Sequence, residues 1–258
     1  MIEIENHGNI RTIILNRSEK LNAINLEMAT LIREEVEKAD EEDNVKILIL
    51  TGKGRAFSVG GDVNEMGDYL PKAGDLFYKL TEQLHATVEK IMTMKKPVIC
   101  GINGIVAGGA LGIALAGDLR IGNKSTEMLS AHFKRGFVPA GGATYLLPKI
   151  IGLGKTQDLF FGERTINASE MKEMGILHRV VKDEEMLKEC MKEARRLERG
   201  PLDAIGETKM LLNSQELKMM KEHLVLERES NRESGNTGDA VEGIMAFLEK
   251  REGKFNSE

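Results

Sequence analysis

Two diglycine turns, Ala56-Phe57-Ser58-Val59-Gly60-Gly61-Asp62 and Asn103-Gly104-Ile105-Val106-Ala107-Gly108-Gly109-Ala110, are where this chain could most directly do chemistry. Each follows a β-branched apolar run, Val45 to Leu50 or Pro97 to Ile102, and each leads into a helical stretch. Backbone N–H groups at a strand-to-helix junction lack intrahelical acceptors and point outward at a positive helix end. Two such junctions converging on one point would cradle an anion without any charged side chain. Where the anion is a transient thioester enolate, the cradle is an oxyanion hole. A lone diglycine is most often only a tight turn; the strand-before, helix-after context shared by these two points to function.

Turns of this kind need an α/β scaffold to hold them. Asn9 to Leu15 and Val45 to Leu50 read as buried strands. Between them, Asn25 to Asp40 carries Met28, Leu31, Ile32 and Val36 at helical spacing behind an asparagine cap. Leu76, Leu80, Leu84, Val88 and Ile91 predict a second helix that ends before Pro97. A short strand over Leu119 to Ile121, a helix near Ala143 to Ile150 and a strand at Val180-Val181 follow. From Asp183 onward the strand signals stop and charged, methionine-bearing helical segments take over. The expected organisation is an α/β core over residues 1–195 and a helical region over 196–258. Met210, Leu211, Met219, Met220 and Leu224 in that region predict intrachain or subunit packing.

The 258 residues carry a formal charge of −5, which gives no basic stripe for nucleic acid. The longest apolar stretch, Ile105 to Gly117, is too short and too glycine-rich to span a bilayer. Cys100 and Cys190 cannot make a disulfide framework, and Met1-Ile2-Glu3-Ile4-Glu5 lacks the basic and apolar regions of a secretion signal. A cytoplasmic protein is expected. No His, Cys and carboxylate spacing predicts a metal site. Gly154-Lys155-Thr156 ends like a phosphate loop, but the glycine required five positions earlier is Lys149.

Longer stretches of the chain resemble the crotonase superfamily, the enoyl-CoA hydratase/isomerase family. The likeness runs through Asn16-Arg17-Ser18-Glu19-Lys20-Leu21-Asn22-Ala23, Gly54-Arg55-Ala56-Phe57 to Met66, and Lys96-Pro97-Val98-Ile99 to Asp118-Leu119-Arg120. It continues through Leu146-Leu147-Pro148-Lys149-Ile150-Ile151-Gly152 and Ala168-Ser169-Glu170 to Gly175, and resumes from Glu242-Gly243 to Arg251. The resemblance implies a crotonase-like spiral of ββα units with a C-terminal helical region that builds trimers, or dimers of trimers. It implies an acyl-CoA substrate, with coenzyme A part of that substrate and no separate cofactor. The N–H groups of Gly61 and Gly109 become the oxyanion hole, while Lys20, Ala23, Ser58 and Gly60 fall where the family grips the nucleotide end. Asp62 is expected to cap a helix.

The resemblance breaks at the carboxylates. A hydratase of this family has glutamates at the positions that here hold Gly112 and His132, and isomerase-like members have an acid where Ala140 stands. Double-bond isomerisation or decarboxylation of a thioester is therefore expected ahead of standard hydration. Gly136-Phe137-Val138-Pro139 resembles a stretch of decarboxylase-like relatives. Histidine suits proton transfer near neutral pH. His132 takes the second glutamate's place, and His85 lies twelve residues before Pro97, a spacing like that in the 4-chlorobenzoyl-CoA dehalogenase branch. As a structural alternative, His85 flanks the Leu84/Val88 stripe and His132 is a loop residue. Glu65 and Tyr145 are weaker candidates, read as a solvated first-turn carboxylate and a packed aromatic. Pocket walls are expected from Tyr69 to Phe77 and Leu129 to Phe137. The alternative function is a catalytically degenerate acyl-CoA-binding or assembly protein.

Overall fold

Runs of isoleucine, leucine and valine buried on both faces build a six-stranded sheet at the centre of the protein. Its order is β1 (Ile2–His7), β2 (Ile10–Leu15), β3 (Ile47–Gly52), β5 (Val98–Ile102), β7 (Leu119–Asn123) and β10 (Arg179–Val181). Within this sheet only β1 and β2 pair antiparallel. A second sheet orders β4 (Ala56–Ser58), β6 (Ile105–Ala107), β8 (Glu127–Leu129) and β9 (Thr165–Asn167). The computed structural model describes residues 1–130 and 132–255.

The helices are α1 (Leu26–Glu41), α2 (Val63–Gly67), α3 (Gly74–Thr93), α4 (Ala110–Ala116) and α5 (Ala143–Ile151), then α6 (Leu153–Phe161), α7 (Ala168–Glu173), α8 (Met186–Glu198), α9 (Leu202–Ser234) and α10 (Gly238–Leu248). Three times the chain lays a strand in the large sheet and then a three-residue strand in the small one: β3 then β4, β5 then β6, β7 then β8. This repeat is the spiral of ββα units that the resemblance implied.

The strand directly before each diglycine turn is thus β4 or β6, not the long apolar run. Three residues are too few to show a period, so the sequence reading merged each with the strand ahead of it. It also passed over β1, whose Ile2-Glu3-Ile4-Glu5 alternation matches a half-exposed edge strand.

The main core lies between the sheets and helices α1, α3 and α4; a smaller one packs α8 against Ile10, Ile47, Ile49, Ile99 and Ile121. Cys100 is buried in the main core and Cys190 in the second cluster, and burial pushes both thiols up to about 12, which leaves them unreactive. Among the described residues no helix is long and apolar enough to cross a membrane.

Helix α9, 33 residues long, runs along α3. At one end Asn236 Oδ1 accepts from Gly74 N at 3.1 Å; further along, the buried Glu227 and His85 meet. Helix α9 therefore packs against α3 and, through Glu227, against the Gly141-Gly142 turn, which itself meets Gly109.

Candidate active site

The two diglycine turns touch. A Cβ built on Gly60, where φ is +85°, would lie 2.9 Å from Gly108 Cα and 3.2 Å from Gly109 N. Gly108, at φ +56°, approaches Gly60 Cα from the other side. Only glycine tolerates this combination of left-handed backbone and close approach. Among the described residues neither the Gly61 nor the Gly109 N–H has an acceptor in the chain. Both glycines line one cavity of about 490 Å³.

One end of that cavity is polar, bordered by Glu19, Lys20, Arg55 and Asp62; the rest is mainly apolar, walled by Met66, Phe77, Leu80, Leu84, Leu129 and Phe137. Lys20 and Ala23 line it. Ser58 and Gly60 do not. The Ser58 hydroxyl donates to Asn22 O at 2.7 Å and accepts from Gly60 N at 3.1 Å, so both are spent holding the first turn. Leu21 and Asn22 adopt φ of +53° and +55°, an uncommon geometry for residues with a Cβ. The fully buried Asn22 carboxamide holds it by accepting from Arg17 N and donating to the carbonyls of Lys53 and Ala56.

Asp62 caps α2 by accepting from Asn64 N, and binds Arg17 at 2.8 Å and Lys20 at 3.5 Å. Burial opposes its ionisation, but Arg17 and Asn64 outweigh that and hold its carboxyl below the usual range. Glu65 neither lines the cavity nor stands solvated. Its Oε2 accepts from Leu26 N at 3.0 Å, capping α1, and burial pushes its carboxyl up. Tyr145 is a packed aromatic, its ring 5.4 Å from that of His223.

His132 lines the cavity and is 6% exposed. Among the described residues neither ring nitrogen has a partner, both are buried, and the ring meets Phe160 edge-on at 6.0 Å. Burial pushes its pKa down to about 4, with Glu227 opposing and Arg135 assisting. The imidazole is neutral at physiological pH. Ala131, within the expected Leu129 to Phe137 wall, lies outside the described residues.

His85 is elsewhere. It is 4% exposed, does not line the cavity, and its Nε2 lies 2.8 Å from Glu227 Oε1. Glu227 is a hub that sequence reading missed. It accepts from Gly142 N at 2.7 Å, from Thr144 N at 3.3 Å and from the Thr144 hydroxyl, so it caps α5 from a different helix. Burial favours its neutral form, but His85, Thr144 and Gly142 together outweigh this and hold its carboxyl below the usual range. Replacing Glu227 by alanine would strand several buried donors. We expect a loss of about 3–5 kcal/mol in urea unfolding, with Glu227→Gln losing less. A loss under about 1 kcal/mol for the alanine variant would mean that α5 does not depend on this carboxylate.

The turn that Glu227 holds explains Gly112. A Cβ on Gly112 would fall 1.5 Å from Gly141 O, and one on Gly141, at φ +75°, would fall 2.2 Å from Gly109 O. Backbone of the Gly141-Gly142 turn occupies the space a side chain at 112 would need. Ala140 lines the cavity, so no carboxylate faces it from any of the three positions that carry acids in the resembled family. Among the described residues no group of three His, Cys, Asp or Glu side chains is placed to hold a metal.

A family model described as enoyl-CoA hydratase/isomerase matches residues 5–258. The chain belongs to the enoyl-CoA hydratase/isomerase family. It is 34% identical over 247 residues to a 1,2-epoxyphenylacetyl-CoA isomerase of Escherichia coli (strain K12), covering 95% of this chain and 94% of the relative. It is 30% identical to a trans-2-decenoyl-[acyl-carrier-protein] isomerase of Streptococcus mutans serotype c, covering 95% and 94%. The crystal structure of an enoyl-CoA hydratase from Mycobacterium avium subsp. paratuberculosis K-10 superposes with a TM-score of 0.89, at 25% identity, covering 99% of this chain and 98% of that one. An acyl thioester substrate fits this family.

Proposed function

We propose that this member of the family is an acyl-thioester isomerase that moves a proton across an enolate held by the N–H groups of Gly61 and Gly109. The observation that carries this reading is a pair of amides without acceptors among the described residues, on two glycines that line one cavity where His132 stands and no glutamate occupies positions 112, 132 or 140. Donating both amides to the thioester carbonyl lowers the cost of taking a proton from the α carbon. His132 takes that proton and returns it at the γ carbon, shifting the double bond. Its nitrogens are shielded, so this step requires the ring to turn about its Cα–Cβ bond. A relative 30% identical to this chain bears the name trans-2-decenoyl-[acyl-carrier-protein] isomerase, which is in keeping with a double-bond shift, and the glycine, histidine and alanine at 112, 132 and 140 argue against hydration. Lys20 and Arg55 at the polar end suit the phosphates of coenzyme A or of an acyl carrier, and trimers remain the expected assembly.

The test is mass spectrometry of an acyl-CoA panel incubated with the protein in deuterated water. Deuterium enters the α carbon where an enolate forms, even without net conversion. Binding of the thioesters with no exchange across the panel would make this a thioester-binding protein instead. His132→Gln is expected to slow exchange about 10²–10⁴-fold. With the imidazole pKa at about 4, kcat/KM should stay level from pH 8 to 5 and fall only near 4. An acid limb at the ordinary histidine value near 6.5 would assign the proton to another group. Stability carries the same signature. Between pH 6.5 and about 4 the unfolded chain binds the His132 proton and the folded one does not, so folding weakens as pH falls through that window.

A further inference from the structure

Helix α9 contributes one side chain, a polar one, to the cavity that both diglycine turns line. Asn231 is 3% exposed and lines the cavity with Phe77, Thr81, Phe137 and Ala140. Its carboxamide orientation is fixed, because both hydrogens of Nδ2 are used: one to Pro139 O at 3.2 Å, one to Glu227 O at 3.0 Å. A flipped amide would face two carbonyls with an oxygen. Oδ1 therefore remains as an acceptor, and among the described residues no group donates to it. Thr81 cannot supply a proton; its hydroxyl is hydrogen-bonded to Phe77 O at 2.7 Å within its own helix.

We propose that the acyl group turned over here carries a hydroxyl, and that Asn231 Oδ1 selects it by accepting its proton. The inference rests on the thioester reading above and names the class of acyl chain. A pure hydrocarbon chain filling this cavity would displace water from Oδ1 and seal a buried acceptor without a donor, which costs more than the hydrogen bond itself returns. A hydroxylated chain restores the bond. The two oxyanion amides do not compete for it, since they only donate, and their acceptor is the thioester carbonyl. Asn231 thus acts as a specificity-determining residue, touching the chain and not the reacting carbons.

The experiment is isothermal calorimetry of hexanoyl-CoA against 3-, 4-, 5- and 6-hydroxyhexanoyl-CoA, with wild-type protein and Asn231→Leu. At least one hydroxylated thioester should bind wild type about ten- to a hundredfold more tightly than hexanoyl-CoA. The preference should shrink to near unity in Asn231→Leu. Only ratios within one protein are compared, so a general loss of affinity cancels, and the wild-type ratio decides alone if the variant does not fold. No hydroxyl preference in wild type overturns the proposal, as does a preference that survives in Asn231→Leu. α-Carbon deuterium exchange on hexanoyl-CoA separates the two readings. Exchange without hydroxyl preference leaves the enolate chemistry standing and removes the selectivity. Hydroxyl preference without exchange on any of the five thioesters does the reverse.

Discussion

Gly109→Pro should lower the saturating rate of α-carbon deuterium exchange about 10²–10³-fold, the usual loss when one donor to an oxyanion is removed. The φ of Gly109 itself suits this substitution, although Gly108 ahead of it, at φ +56°, has a conformation that a following proline disfavours. Gly109 has φ −61°, inside the range a proline ring imposes, and it stands just ahead of α4, where its N–H is not used by the helix. The added carbon would meet Leu84 Cδ1 at 2.7 Å, the far end of a side chain that can turn aside. Gly109→Ala introduces the same Cβ contact but keeps the N–H, and is expected to lose far less. The comparison separates crowding at Cβ from the loss of the N–H together with the ring carbon that replaces its hydrogen. If alanine and proline lose activity equally, crowding is responsible and Gly109 does not serve the thioester carbonyl.

Restoring the glutamate that family hydratases carry at position 112 should not make this protein a hydratase. In Gly112→Glu the first side-chain carbon collides with the Gly141 carbonyl, which is backbone and cannot rotate away. The Gly141-Gly142 turn has little room to retreat, because Glu227 grips Gly142 N from behind and Gly141 already presses on Gly109 O. We expect a loss of about 3 kcal/mol or more in urea unfolding, at the upper end for overpacking, and no hydration of crotonyl-CoA above background. Relaxing the turn should relieve the clash, so Gly112→Glu combined with Glu227→Ala should cost less than the sum of the two. A Gly112→Glu protein of wild-type stability that hydrates crotonyl-CoA would show that the turn yields easily.

The parts of the site that could be read from sequence are those encoded locally. Gly60-Gly61 and Gly108-Gly109 announce themselves because left-handed backbone and close approach demand glycine, and the apolar runs ahead of them have a period. The asparagine cap of α1 and the Asp62 cap of α2 follow from side chains that bond their own next turn. Glu227 and Asn231 carry no such local signal. Glu227 sits in the run Glu227-Arg228-Glu229-Ser230, which reads as a solvated helix face. Its partners His85 and Gly142 are 142 and 85 residues away in the chain. Nothing short of the packing of α9 on α3 identifies which of those charges turns inward. His132 is intermediate: its place where the resembled family has a glutamate marked it out, but the burial of its ring nitrogens is a property of the fold.

The order in which the cavity's pieces leave the ribosome has its own consequence. Both amide turns are complete by residue 109, yet Asn231, Phe247 and the Glu227 clamp come from the last helices to be synthesised. A nascent chain paused before α9 would hold paired turns beside an open apolar trough, with the α5 cap unsatisfied and α3 lacking its long neighbour. Such a species would be sticky and inactive. Maturation of the site is therefore a late, all-at-once event, and clipping the C-terminal quarter should abolish thioester binding as completely as damage to the glycines themselves.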